Sequence, residues 1–386
     1  MSRLPKNTVS MYIIAFATFL AFMGIGVVDP ILPVIAKQIG AKHWEIEMLF
    51  TAYIFTMAFI MVPAGLAANR FGEKPVMTTG LLLVSVTSML CAFSNSIPEL
   101  SLFRAGWGFS NALFFATAMT ITIAFAPSTS VAIGLFEAAV GLGMAAGPLL
   151  GGVLGDISWR YPFAATSVLA FAAFLCVLFL IRQPQSTTKH THGLQDLTAL
   201  FRNTAFMKAA VAAMLYYFGF FTILAYSPLL LHLSALELGF VFFAWGLMLA
   251  LGSAKLSHYL EQKAPLVQLI WQGLVVFAFI VLGIYLIDNK TVQLALIIIS
   301  GLACGVNNSL FTTYVMDISP YPRNITSSAY NFVRWLGAGI APVAAGLMAE
   351  ELSPTFPYLA AFLLLILGIL ITLRKAPEPE EAMDNL

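Results

Sequence analysis

The sequence predicts an all-α polytopic membrane protein of twelve transmembrane helices, arranged as two pseudo-symmetric six-helix bundles, and three observations carry that prediction. The first is composition: of 386 residues, 60% are apolar and 10% charged, whereas a soluble domain carries roughly a quarter charged residues. Lipid must therefore solvate surface that a soluble fold of this size could not bury. The second is a series of apolar runs, each close to the roughly 20 residues that a helix needs to cross a bilayer. The third is a likeness between the two halves of the chain, the expected trace of a transporter built from repeated units.

The runs start near Met11, Glu47, Val76, Leu100, Ser130 and Pro162 in the first half, and near Met207, Leu238, Leu266, Val292, Ile325 and Thr355 in the second. A polar interval separates them, with Gln, Ser, Thr, His190 and His192. This organises the chain as an N-terminal bundle over residues 1–182, a central loop over 183–206 and a C-terminal bundle over 207–386. The first run, about 24 residues long, exceeds a signal-peptide core and is read as a span. Between the halves, Gly147-Pro148-Leu149-Leu150-Gly151-Gly152 aligns with Ala341-Pro342-Val343-Ala344-Ala345-Gly346, a register that sets Glu137 opposite Asn331. Pro33 falls opposite Pro228, and Lys74 opposite Lys263.

Cytoplasmic loops are enriched in Lys and Arg. With both termini and the central loop in the cytoplasm, 13 basic residues fall inside: Arg3, Lys6, Arg70, Lys74, Arg182, Lys189, Arg202, Lys208, Lys255, Lys263, Arg323, Arg374 and Lys375. Lys37, Lys42, Arg160 and Lys290 fall outside, and Arg104 and Arg334 lie within spans. A cell (inner or plasma) membrane protein with both ends inside is the expected placement. Net charge is +1, which argues against a nucleic-acid partner. Cys91, Cys176 and Cys304 sit in apolar stretches without metal or disulfide spacing, so neither a metal nor a cofactor is expected.

Between the second and third spans the chain reads Gly65-Leu66-Ala67-Ala68-Asn69-Arg70-Phe71-Gly72-Glu73-Lys74. A glycine there permits a tight reversal, and Arg70 and Lys74 hold the turn at the cytoplasmic surface. The fourth span carries Arg104-Ala105-Gly106-Trp107-Gly108, and the fifth Gly143-Met144-Ala145-Ala146-Gly147-Pro148-Leu149-Leu150-Gly151-Gly152. The first ends Gly24-Ile25-Gly26-Val27-Val28-Asp29-Pro30-Ile31-Leu32-Pro33. Together these segments resemble the loop, R-x-x-q-G, G-x-x-x-G-P-x-x-G-G and first-span motifs of the major facilitator superfamily, and in particular its twelve-span drug:proton antiporters. The resemblance implies the major facilitator fold, alternating access and proton-coupled export. It also implies that the loop latches the two halves in one state, although the loop's usual acidic residue is here Asn69. Small residues four apart give the fifth span a smooth face, and close packing between moving halves is its expected use. Pro148 permits a kink.

Within the spans the deep carboxylates are Asp29 and Glu137. A carboxyl group held out of water can load and unload a proton, which is what coupling requires. Asp29, late in the first span and before a proline, reads equally as a helix-end residue. Arg104 must face a carboxylate, a carbonyl or water, or else snorkel to the interface. With Asp29 and Glu137 it makes up the expected proton-coupling set. A cargo chamber needs an aromatic wall and a few inward polar groups. Its candidates are Tyr53, Asn111, Tyr216, Tyr217, Trp245, Asn307, Asn308, Asn331, Arg334 and Trp335. Arg334 in mid-span would attract an anionic cargo group or a carboxylate such as Glu137.

The expected function is proton-coupled efflux of drugs or other small amphipathic compounds by a monomer in lipid. The alternative is export of a specific metabolite such as a metallophore (siderophore) or sugar derivative. The sequence contains no HExxH, GxSxG or GxxxxGK[ST] motif, which argues against an enzyme and against ATP-driven transport by this chain alone. Two similar halves around a midplane site suit rocking better than a static channel.

Overall fold

The computed structural model describes residues 6–39, 43–155, 157–181, 193–231, 233 and 235–373. Twelve helices among them are long and apolar enough to cross a membrane. In the first half they are α1 (Lys6–Gly26), α3 (His43–Phe71), α4 (Glu73–Phe93), α5 (Ile97–Phe125), α6 (Thr129–Gly155) and α7 (Arg160–Leu180), with a short α2 (Leu32–Ile39) after the first. In the second half the spans are α9 (Thr204–Phe221), α11 (Ala235–Leu251), α13 (Leu266–Leu286), α14 (Lys290–Ile318), α15 (Arg323–Glu351) and α16 (Phe356–Leu373). Two of these run on through π-helical turns, α9 over Thr222–Tyr226 into α10 (Ser227–Leu231) and α11 over Gly252–Leu256 into α12 (Ser257–Glu261). The first π-turn ends two residues before Pro228, whose ring would strike the carbonyl four residues back, that of Leu224 within the turn, in a regular helix.

Lipid offers backbone groups no partners, so every span closes its own ladder. Hydroxyls inside the spans follow suit by bonding the preceding turn, as Thr18 does to the Ile14 carbonyl at 2.9 Å and Ser88 to that of Val84 at 2.7 Å. The ends are capped by side chains: Asn203 Oδ1 accepts from the Phe206 amide at 2.9 Å and Asn289 Oδ1 from that of Thr291 at 3.1 Å. Basic residues close helix C-termini across the bundle. Lys74 donates to the Leu178 carbonyl at 2.9 Å, near the end of α7, and Arg160 to the Ala92 carbonyl at 2.8 Å, near the end of α4. Gly72, with φ 92°, is the reversal between α3 and α4, a backbone state that favours glycine. Arg70 lies over the Phe71 ring at 5.4 Å, and Gly65 and Asn69 are part of the same helix end.

Helices of each half pack chiefly on one another, α1 on α6 and α7, and α3 and α4 on α5, with α9 on α15 and α16, and α13 on α14 and α16 in the second half. Two helix pairs carry most of the contact between the halves, α6 with α11 and α3 with α15, and α6 with α14 and α5 with α15 add smaller ones. By helix alternation Arg70, Lys74, Lys208, Lys255, Lys263 and Arg323 all lie on one side, hereafter the basic side, and Arg160 and Lys290 on the other. Arg3, Arg182, Lys189, Arg374, Lys375, Lys42, His190 and His192 lie outside the described residues.

The small-residue stripe of α6 does not work as expected. Side chains built at Gly143, Gly147 and Gly151 would strike the α1 backbone, at the carbonyls of Phe19, Met23 and Val27 respectively, so the stripe seats α1 within the N-terminal half rather than facing the other half. Gly152 is buried on the same helix, and Pro148 touches the α1 end at Gly26. The face between halves is carried instead by Gly141 and Ala145 of α6, which meet Leu249 and Gly246 of α11. Gly147→Leu is therefore expected to reduce the amount of folded protein, whereas Gly246→Leu leaves each half intact and stops transport. Size-exclusion profiles and efflux rates of the two variants check this, and a well-folded, abundant Gly147→Leu protein would contradict it.

The polar interval contains a helix that the composition did not suggest. α8 (Gly193–Arg202) buries Leu197 and Leu200 and lays Phe201 edge-on against Phe332 of α15, with ring centres 6.2 Å apart. Phe332 in turn meets Phe59 of α3 at 5.7 Å, so α8 caps a seam where the two halves touch. Near the same side, Ser130 of α6 donates to Glu261 of α12 at 2.7 Å.

Candidate functional site

Glu137 sits two turns into α6 and is fully buried. One carboxylate oxygen, Oε1, accepts from the Thr312 hydroxyl of α14 at 3.1 Å and lies 3.5 Å from Arg334 Nη1 of α15. The ion pair thus crosses from one half to the other. No second ion pair occurs among the described residues. Taking one partner from such a buried pair costs on the order of 3–5 kcal/mol where the charge left behind has no other strong partner.

α15 itself supplies much of Arg334's surroundings by helical spacing, and α9 adds Tyr217. Asn331, three residues earlier, accepts from Nη2 at 2.6 Å, and its own amide donates to Ser327 at 3.2 Å, one turn further back. The guanidinium lies over the rings of Tyr217 and Tyr330, at 4.6 and 4.9 Å. Arginine suits this position because its flat, weakly hydrated head both forks to oxygens and stacks on aromatic faces.

An aromatic layer spans the same interface. Trp335 contacts Tyr217 at 5.7 Å and Phe221 at 5.6 Å in its own half, and Phe22 of α1 at 6.3 Å in the other. Phe22 stacks on Phe115 at 4.2 Å and meets Phe136, the neighbour of Glu137, edge-on. Tyr216 turns away, donating to the Cys304 carbonyl at 2.9 Å, and Trp245 donates to Ser300 at 3.1 Å while packing on Phe220.

The remaining candidates divide. Asn308 shares a face of α14 with Thr312, one turn distant, and both its amide atoms are buried without a hydrogen bond to any described residue. Asn307 points to Gly273 of α13, away from the ion pair. Tyr53, Asn111 and Arg104 form a separate cluster inside the first half: the Asn111 amide donates to the Tyr53 hydroxyl, and the Arg104 guanidinium lies over Tyr53 at 4.5 Å and Trp107 at 5.2 Å. Arg104 also reaches the Leu49 carbonyl at 3.4 Å, so the carbonyl partner foreseen for it is present. Asp29 opens a short 3-10 turn, Asp29–Ile31, and its side chain lies outside the described residues.

Thr312, Phe22 and Phe136 escaped the sequence reading. Thr312 could have been found from the unusual polar density of Asn307, Asn308, Ser309, Thr312 and Thr313 in one span. Phenylalanines in apolar runs carry no such signal.

Comparison with known proteins bears on what this arrangement does. The model of the family described as Major Facilitator Superfamily matches residues 14–342. The chain is 38% identical over 367 residues to the Multidrug efflux protein YfmO of Bacillus subtilis (strain 168), covering 94% of this chain and 92% of that protein. It is 30% identical over 189 residues, 48% of each chain, to the Quinolone resistance protein NorA of Staphylococcus aureus. The crystal structure of the human organic anion transporter MFSD10 (TETRAN) superposes with a TM-score of 0.78 over 96% of this chain and all of that one, at 15% identity, which shows a shared fold.

Proposed function

Because the chain belongs to the major facilitator superfamily, a family of multi-pass membrane transporters of small molecules, we propose that it is a proton-coupled exporter of drugs or other small amphipathic compounds. The observation that carries this reading is the Glu137–Arg334 pair, buried and shared between the halves, in a chain 38% identical to a multidrug efflux protein. Alternating access requires that the halves part on one side while they meet on the other. A charge pair between them resists that parting, and a proton on Glu137 removes the attraction. Loading Glu137 from the more acidic side and releasing the proton to the other then ties movement of the halves to the proton gradient. The aromatic layer around Trp335 and Tyr217 supplies an apolar wall for an amphipathic cargo. A single copy completes the pair and the wall, so the working unit is a monomer, with residues 1–182 and 207–386 as its two rocking bodies and 183–206 joining them.

The basic side is the cytoplasmic side in this reading, and both termini lie there. Arg104, with the cargo candidates Tyr53 and Asn111, belongs to a separate cluster inside the first half, and Asp29 is the alternative proton carrier. The turn of Gly65, Asn69, Arg70, Gly72 and Lys74 holds the closed side.

The test uses everted membrane vesicles, whose outer face is the cytoplasmic one. Vesicles carrying the protein are expected to accumulate a fluorescent cationic or zwitterionic dye when respiration builds a proton gradient, and to release it when an uncoupler collapses that gradient. Accumulation that survives the uncoupler would overturn proton coupling. Cysteines at Lys263 and Lys290, probed with an impermeant thiol reagent on intact cells, check sidedness, with labelling expected at 290 alone.

A further inference from the structure

Around the ion pair the described residues leave several buried polar atoms unmatched. Glu137 Oε2, Arg334 Nε and both amide atoms of Asn308 lie out of solvent and make no hydrogen bond to any described residue. In an apolar interior such an atom is costly to leave unmatched, so an acid and a base that touch and each keep one free polar atom, with Asn308 one turn along α14 from the Thr312 that bonds the acid, form a site built to meet polar groups of something else. The set is chemically mixed. Glu137 Oε2 accepts, Arg334 Nε donates, and the Asn308 amide does both.

We propose that the cargo of this site is zwitterionic, an amphipathic molecule presenting an ammonium or N–H donor to Glu137 and a carboxylate to Arg334, with its apolar body against Tyr217 and Trp335. The proposal rests on the efflux reading and names its substrate class. Charge arithmetic selects it over the simpler alternatives. The paired site is neutral, so a lipophilic monocation drawn to Glu137 meets the Arg334 guanidinium 3.5 Å behind it, whereas a zwitterion satisfies both charges at once. A monoanion would bind Arg334 best when Glu137 is protonated, so it would travel with the proton rather than against it. The ammonium of a zwitterion competes with the proton for one carboxylate, and that competition is what exchange requires. Each exchange then moves one net positive charge inward, because the cargo leaves as a neutral species.

A matched set of fluorescent probes tests this on the purified full-length chain: Nε-dansyl-L-lysine, a zwitterion; its methyl ester, a cation; and its Nα-acetyl derivative, an anion. The zwitterion is expected to bind at least roughly tenfold more tightly than either, read from the rise in dansyl emission. In Glu137→Gln its advantage over the Nα-acetyl derivative disappears, because no carboxylate remains for the ammonium, while its advantage over the ester remains. The wild-type comparison decides even if that variant is not recovered. Tightest binding by the methyl ester, or equal binding of all three, overturns the proposal. Gradient-driven accumulation of a cationic dye by the same protein would in that case leave the efflux reading standing and remove only the cargo assignment.

Discussion

Vesicles carrying Glu137→Gln are expected to show no uphill accumulation of any cargo, at any imposed pH gradient, although cargo can still equilibrate downhill. The substitution keeps the shape of the side chain and an oxygen for Thr312 at the position where the hydroxyl now donates over 3.1 Å. It removes the ionisable carboxyl group and the charge opposite Arg334. The guanidinium keeps Asn331 at 2.6 Å and the faces of Tyr217 and Tyr330, so the folded protein is expected to survive. Asp29→Asn is the matched control, since Asp29, in the turn just past the end of α1, is the other acid the sequence offers as a proton carrier. Wild-type gradient dependence in Glu137→Gln, with coupling lost in Asp29→Asn instead, would transfer the proton to Asp29 and leave Glu137 a structural role.

Arg334→Met is expected to be the more damaging change to stability. It strands the Glu137 carboxylate, fully buried and left with Thr312 alone among its present partners, at a cost on the order of 3–5 kcal/mol. The thermal midpoint in detergent should fall sharply and the yield with it. Adding Glu137→Gln to Arg334→Met removes the stranded charge, so the double variant should recover most of the loss while remaining unable to couple. Such a recovery is the signature of a direct pairwise term rather than two independent effects. A double variant no more stable than Arg334→Met would show that the pair contributes little and that Arg334 matters through its tyrosine neighbours.

The spans were legible because hydrophobic length is local: a run such as Leu266–Leu286 declares itself without reference to any partner. The same locality explains what was hidden. Glu137 and Arg334 each stood out as charges in apolar surroundings, so their attraction was foreseeable although 197 positions separate them, whereas the Thr312 hydroxyl that also holds the carboxylate was not. The glycine stripe was visible as a smooth helix face, but a stripe does not say whose backbone fills it, and α1 claims it rather than the opposite half. α8 was concealed by its polar flanks. Its Leu197, Leu200 and Phe201 recur at helical spacing, but three apolar positions among Gln, Asp, Thr and Arg fall below any threshold set for membrane spans. Asn307 and Asn308 are indistinguishable by composition, and a rotation of about 100° along one helix sends them to different neighbours.

Helix α8 is joined to α9 through Asn203 alone, so its hold on the seam between Phe332 and Phe59 is exerted by a group that cannot diffuse away. Tethered groups meet at effective concentrations of the order of millimolar, which turns a weak association into a frequently occupied one. Two buried leucines and the edge of one phenylalanine would not keep a free decapeptide in place. Phe201 packs on Phe332 of the same half, so what the tether keeps at hand is the smaller contact of α8 with α3, whatever the abundance of the protein in its membrane. Closure of that seam is accordingly a first-order property of one chain, set by its geometry and independent of encounter.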